Sequence, residues 1–142
     1  MFHFQLVALS GKKFDDDVYE VILPTLDGEI GVLQDHMPLI SVATNGSIAV
    51  RRDPKDSDAQ REYFACSGGA IDVSDNNLRV LVDEADNADD INESEAQKAL
   101  ERAQKMKAEA KDEVSLEHAK SLVDRYEVRL QVAGLKRRHQ RK

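Results

Sequence analysis

The residues of this 142-residue chain that could do chemistry are four histidines, one cysteine and two short motifs. His3, His36, His118 and His139 are scattered, and none stands at ligand spacing from Cys66 or from another histidine, so no metal centre is expected. Asp15-Asp16-Asp17 lacks the glycine and the distal glutamate of a calcium loop. Ser67-Gly68-Gly69 resembles a fragment of a nucleophile or phosphate loop, but no Lys-Ser/Thr pair and no helix follow it. It reads as a tight turn between strands. Cys66 reads as a small core residue, and a single cysteine excludes an internal disulfide. The pattern with a surface role runs from Leu23 to Leu39, where Gly28 and Gly31, three apart, are followed by His36 and Pro38. Glycine supplies backbone freedom where a chain must bend, and the segment describes a shaped turn that presents Glu29 and His36 on one edge. That is a docking edge rather than a catalytic pocket.

The elements that must position these residues fall into two kinds. Phe2, Phe4, Leu6 and Ala8 alternate with His3, Gln5, Val7 and Leu9, the period of a strand with one face in a core and the other partly covered. Gly11-Lys12-Lys13 reads as a turn and Val18 to Leu23 as a second strand ending at Pro24. Further short strands are expected over 30–33, 39–43, 47–50, 62–65, 70–73 and 78–82, with turn signals at Asn45-Gly46, Gly68-Gly69 and Asp75-Asn76-Asn77. Spacing of about eight to twelve residues predicts an antiparallel β-sandwich or barrel over 1–85. Residues 53–61 lack an apolar period and read as a long exposed hairpin loop. Residues 86–93 read as a polar linker. Ser94-Glu95-Ala96-Gln97 matches a capping box and predicts a helix start. Ala96, Ala99, Ala103, Met106 and Ala110 then form one stripe, and after a break at Asp112 to Ser115 a second stripe follows in Leu116, Ala119, Val123, Tyr126, Leu130 and Ala133. Gly134 reads as its cap. Residues 94–142 are therefore expected to form an antiparallel two-helix hairpin. Leu122, Val128 and Val132 lie off the second stripe, and either widen its buried face or serve a partner.

Composition narrows the function classes. A charged fraction of 33% beside 41% apolar residues is that of a globular chain, and aliphatic runs such as Val21-Ile22-Leu23 are too short for a membrane span. The first residues lack the basic and apolar regions of a signal peptide, so a cytoplasmic location is expected. Residues 1–90 hold 7 Lys/Arg against 18 Asp/Glu and residues 91–142 hold 13 against 9, a swing from −11 to +4. Such a break marks a domain boundary. Lys136, Arg137, Arg138, Arg141 and Lys142 make the end basic, either as a solvated tail or as a contact for an acidic surface. No aromatics interleave with these cations and the remainder is acidic, so nucleic acid is not expected as a partner. An alanine seam is weak, since one buried methyl contributes about 0.8 kcal/mol. The hairpin must therefore lean on the sandwich or on another protein. A free-standing β-sandwich binding module with a helical arm is the alternative reading. A hydrolytic enzyme would need a nucleophile with a base, and none is evident.

Taken together, Gly28-Glu29-Ile30-Gly31-Val32-Leu33, His36-Met37-Pro38-Leu39, Tyr63 to Val73 and Leu81-Val82-Asp83-Glu84-Ala85 resemble the epsilon subunit family of bacterial F-type ATP synthases over nearly the whole chain. The resemblance implies a central-stalk rotor subunit without an active site, present in one copy and peripheral on the cytoplasmic face of the plasma membrane. Its implied partners are the gamma subunit, the c-ring and the alpha/beta catalytic ring. It places Glu29, Gly31, His36 and Pro38 at the c-ring and gamma, and Arg125, Arg129, Arg137 and Arg138 against an acidic segment of the beta subunit. The hairpin would lie on the sandwich or extend along gamma and block hydrolysis. Some members of that family sense ATP through Ile-Asp-x-x-Arg-Ala. The matching positions here are Ile91, Asn92, Glu95 and Ala96, so a carboxylate has become an amide and a cation an anion, with Arg102 retained further on. No cofactor is expected, and ATP binding should be weak or absent.

Overall fold

The computed structural model describes residues 1–140, with side chains through Arg137. Its strands are β1 (Phe2–Ala8), β2 (Gly11–Val18), β3 (Glu20–Thr25), β4 (Gly28–Val32), β5 (Leu39–Ala43), β6 (Gly46–Arg51), β7 (Glu62–Cys66), β8 (Gly69–Ser74), β9 (Asn77–Val82) and β10 (Ala85–Asn87). Two helices follow, α1 (Glu93–Glu109) and α2 (Glu113–Gln140). The strands run in the order β10-β7-β6-β3-β5-β8-β9-β1-β2, with β4 on the free side of β3. The path folds over where β3 meets β5 through the lone pairing of Thr25 with Ala43. Two layers result, β10-β7-β6-β3-β4 and β5-β8-β9-β1-β2, the expected sandwich. Its pairings are antiparallel except β1 with β9, which run parallel with His3 opposite Asn77 and Val7 opposite Leu81.

Between the layers lies a core that includes Phe4, Leu6, Leu23, Ile48, Ile71 and Val80 at 0% exposure. Phe14 stacks at 5.2 Å from Phe4 and meets Phe64 edge-on at 6.0 Å, geometries that favour aromatic pairs. Gly69 opens β8 where a Cβ would stand 1.9 Å from the Leu81 carbonyl oxygen. Close backbone approach, not phosphate chemistry, accounts for that glycine.

The structure departs from the sequence reading at several elements. Gly11-Lys12-Lys13, read as a turn, opens β2, and Val18, expected to begin the next strand, closes it, because the two inward positions of β2, Phe14 and Val18, suffice to bury one face. The expected linker is ordered: Ala85, Asp86 and Asn87 pair with Cys66, Ala65 and Phe64, and a single 3₁₀ turn over Ala88–Asp90 buries Ala88. Helix α1 begins at Glu93, not Ser94, because the Asn92 side chain accepts from the Glu95 N–H at 3.0 Å and serves as the cap. Met106 is 45% exposed, and Leu100 takes its place in the buried stripe. Asp112 caps α2 by accepting from the Ser115 N–H at 2.7 Å. Gly134 ends nothing, since α2 continues to Gln140.

Candidate functional site

Helix α2 lies between α1 and the sandwich, and its two apolar strips are both covered by the chain itself. Val123 packs with Leu100 and Ala103 of α1, joined by Leu122, Tyr126 and Leu130. Val132 and Ala133 pack with Ala49, Tyr63 and Ala65 on the outer face of β6 and β7, joined by Val128, Leu135 and Ile22. The strip that a partner could have taken is thus closed by the sandwich in this conformation. Tyr63, Phe64, Ala65 and Cys66 are all buried because β7 has the core on one side and the hairpin on the other.

The opposite outer face of the sandwich carries a bare apolar row. Val42 stands opposite Ala70, Ala70 opposite Leu81, and Leu81 opposite Val7. Residues directly opposite across a sheet share a face, so these four form one row across β5, β8, β9 and β1. Val42 is 52% and Leu81 48% exposed, and Ile40, two residues before Val42 on the same face, is 84% exposed. A contiguous apolar patch of this kind marks an interaction surface. Sequence reading assigned these strands without singling out the row. The signal was present in Ile40, Val42 and Leu81, apolar residues at positions whose alternate neighbours fill the core.

The docking residues singled out from sequence lie along edge strand β4 and the loop beyond it. Glu29 and Gly31 point away from the core, since the alternate residues Ile30 and Val32 pack inward. A Cβ at Gly31 would meet nothing within 4 Å, so this glycine answers no steric need of the chain itself. Glu29 is near the Leu26-Asp27 turn, whereas His36 follows the other end of β4, about 10 Å away along the strand for three residues at ~3.3 Å each. The loop around His36 is pinned. Asp35, at φ +63°, donates its N–H to Asn76 Oδ1 at 2.7 Å, and the Asn76 amide donates back to the Asp35 carboxylate at 3.2 Å. His36 Nδ1 stands 2.7 Å from the Met37 carbonyl oxygen. Pro38 and Met37 are exposed beside it.

The basic residues of α2 are engaged within the chain. Arg125 Nε lies 3.4 Å from Glu84, Arg129 bonds Asp86, Lys136 Nζ lies 2.5 Å from Asp89, and Arg137 donates to Glu93 at 2.7 Å. The side chain of Arg138, and Arg141 and Lys142 entirely, lie outside the described residues. Sequence reading missed the acidic partners because Asp86 and Asp89 fell in the expected linker over 86–93 and Glu84 at the end of the expected sandwich. Next to this ladder, Asn92, Glu95, Ala96 and Arg102 line one open cleft of about 420 Å³ together with Asp90, Lys98, Ala99, Tyr126 and Arg129. Three of the four positions of the degenerate nucleotide motif, Asn92, Glu95 and Ala96, are therefore brought together with Arg102. Two carboxylates share that cleft, the Asn92 side chain is committed to capping α1, and Arg129 is held by Asp86. An entering phosphate would meet Asp90 and Glu95 as well as Lys98 and Arg102.

Comparison with known proteins agrees with this architecture. Residues 1–88 match the family described as ATP synthase, Delta/Epsilon chain, beta-sandwich domain, and residues 89–134 match ATP synthase, Delta/Epsilon chain, long alpha-helix domain. The ATP synthase epsilon chain of Sulfurihydrogenibium sp. is 32% identical over 137 residues, covering 96% of this chain and 99% of its own. That of Halalkalibacterium halodurans is 32% identical over 133 residues, covering 93% and 96%. Among solved structures, a chain of the Euglena gracilis mitochondrial ATP synthase superposes with a TM-score of 0.76 at 22% identity, covering 93% of this chain and 79% of that one. The likeness of that chain is one of fold.

Proposed function

The chain belongs to the delta/epsilon chain family of ATP synthase, and we propose that it serves as a non-catalytic central-stalk subunit whose sandwich docks in the rotor and whose hairpin brakes ATP hydrolysis. The observation that carries this reading is the asymmetry of the two outer faces. One is covered by the chain's own hairpin and the other presents Ile40, Val42, Ala70 and Leu81 to solvent. The bare row suits the gamma subunit, an elongated protein partner whose apolar residues would complete it. Glu29, Gly31, His36 and Pro38, on the edge strand and pinned loop, would face the c-ring, with the flat outer surface at Gly31 admitting close backbone approach. One copy would act in each complex, peripheral on the cytoplasmic side of the membrane; among the described residues no helix is long and apolar enough to cross one.

The braking role rests on the hairpin's weak seam. Five of the eight buried residues at its contact with the sandwich are alanines, Ala49, Ala65, Ala88, Ala96 and Ala133, beside Tyr63, Ile91 and Val132, and each alanine methyl contributes on the order of 0.8 kcal/mol when buried. A segment held that lightly can exchange one surface for another. Once released, Arg125, Arg129, Arg137 and Arg138 would face an acidic segment of the beta subunit in the alpha/beta ring. ATP is not proposed as the regulator, because Asp90 and Glu95 share the cleft at the degenerate motif. Isothermal titration giving micromolar ATP affinity would overturn that part.

The central test is ATP hydrolysis by purified alpha/beta/gamma complex with full-length chain, with a version truncated after Asp90, and with Leu81→Glu. Full-length protein should inhibit, the truncation should bind without inhibiting, and Leu81→Glu should neither bind nor inhibit. Inhibition by the truncated chain would remove the brake from the hairpin. Undiminished binding of Leu81→Glu would remove the apolar row from the gamma interface.

A further inference from the structure

The ion pairs between α2 and the segment before α1 form a ladder rather than a scatter. Arg125, Arg129 and Lys136 follow one another at spacings of four and seven residues, which keeps them on one side of the helix. Their partners come in the same order, Glu84 just before β10, Asp86 within it and Asp89 in the 3₁₀ turn after it, all on the sandwich side of the molecule. Successive rungs therefore join the hairpin to the sandwich along the edge of the Val132 and Ala133 contact. Arg137 with Glu93 ties α2 to the first turn of α1 and stays inside the hairpin.

Two features set the ladder apart from ordinary surface pairing. The cationic side chains are sheltered, at 33%, 25% and 18% exposure for Arg125, Arg129 and Lys136, while their acidic partners are more open at 47%, 34% and 61%. No second cation lies within salt-bridge distance of the Glu84, Asp86 or Asp89 carboxylates among the described residues, so each rung is exclusive. The apolar seam alongside sets five alanines beside Tyr63, Ile91 and Val132 as its buried residues. A partly exposed pair contributes little alone, but three pairs in sequence along one edge of that seam act on the same contact. Their carboxylate sides are open to solvent, so counterions reach them, and the screening length falls from about 10 Å at 0.1 M salt to about 3 Å at 1 M.

We propose that Glu84–Arg125, Asp86–Arg129 and Asp89–Lys136 form an electrostatic latch that holds the hairpin on the sandwich and opens as ionic strength rises. This deepens the proposed braking role by stating what keeps the brake disengaged. It also means that an acidic surface receiving these cations must first take them from the chain's own carboxylates.

The test uses the full-length chain with spin labels on Ser74→Cys of the sandwich and Lys111→Cys at the hairpin tip, read as a distance distribution by pulsed electron resonance. Cys66 stays unlabelled, because burial hides it and pushes its thiol up to about 11. At 0.1 M sodium chloride the parent should show one narrow distribution, and at 1 M a broad component should grow severalfold. Glu84→Arg with Asp86→Arg should produce the broad component already at 0.1 M, and so should Arg125→Glu with Arg129→Glu. Combining all four substitutions should restore the narrow distribution. Circular dichroism of each variant controls for folding, and recovery in the fourfold variant shows that the two halves act through each other. A narrow distribution in both charge-reversed pairs, or no recovery in the fourfold variant, would overturn the latch. Hydrolysis assays are not part of this readout, so the latch can hold while the brake fails, and the reverse.

Discussion

At the scale of single residues, His3 shows how a strand edge is built to be occupied by charge. Its ring on β1 stands between two carboxylates of β2, with Nδ1 2.9 Å from Asp17 and Nε2 2.5 Å from Asp15. Both ring nitrogens can donate at once only in the imidazolium form, and the bonds to Asp17 and then Asp15 raise the pKa of His3 above the ordinary 6.5. Asp15 is lowered in turn, first by Lys12 and then by His3. A group whose folded pKa is raised contributes its stabilisation fully below its unfolded value of about 6.5 and loses it as pH climbs through the higher folded value. Proton resonance titration should therefore place the His3 midpoint above 6.5 and bring it back toward that value in Asp15→Asn with Asp17→Asn. A midpoint at or below 6.5 in the parent would contradict this geometry. Two members of the aspartate triplet, Asp15 and Asp17, have this role, while Asp16 accepts from Arg52, and nothing in the sequence placed them beside His3 before β2 was known to be a strand.

At the scale of elements, the helix starts and the strand periods show what was legible. Asn92 rather than Ser94 caps α1, so Asn92→Ala should destabilise the hairpin by about 1 kcal/mol, within the usual range for a lost cap. Ser94→Ala, at an exposed position inside the first turn, should stay within about 0.5 kcal/mol. Denaturation followed by helical circular dichroism separates the two, and equal losses would restore the capping box. The sandwich, the two helices and their stripes could be read from period and turn chemistry. Boundaries could not, because two competing caps lay two residues apart and because β2 has charged side chains at five of its eight positions. Strand periods also held more than topology. In β8 and β9 buried and open residues alternate, whereas Ile48-Ala49-Val50 and Tyr63 to Cys66 are buried throughout. A strand buried on both faces reads as a continuous apolar run, so the sequence distinguished the sheet that carries the hairpin from the sheet that is left open. The ion-pair ladder was not legible, since it depends on residues 84–90 lying beside α2, a tertiary fact without a local signature.

At the scale of the whole molecule, one sheet faces its own hairpin and the other faces outward, and an exchange of partners needs both. The surface under the hairpin, Ala49, Tyr63 and Ala65 with Ile22 beside them, would be uncovered on release. Truncation after Asp90 should therefore leave a soluble, cooperatively unfolding sandwich, measurable by thermal denaturation. A non-cooperative melt would mean that the hairpin is part of the sandwich's own stability and not a detachable arm. The parallel pairing of β1 with β9 has a consequence for how this architecture is reached. The first strand of the chain closes against residues 77–81, so its sheet stays open until almost all of the sandwich has been synthesised, and non-local pairing of this kind slows folding. A nascent chain ending before Asn77 holds β8 and the β9 side of β1 as unpaired edges, open to other strands. Helix α2 is made later still. During synthesis the most vulnerable interval thus falls before the hairpin exists, so protection in that interval comes from outside the hairpin.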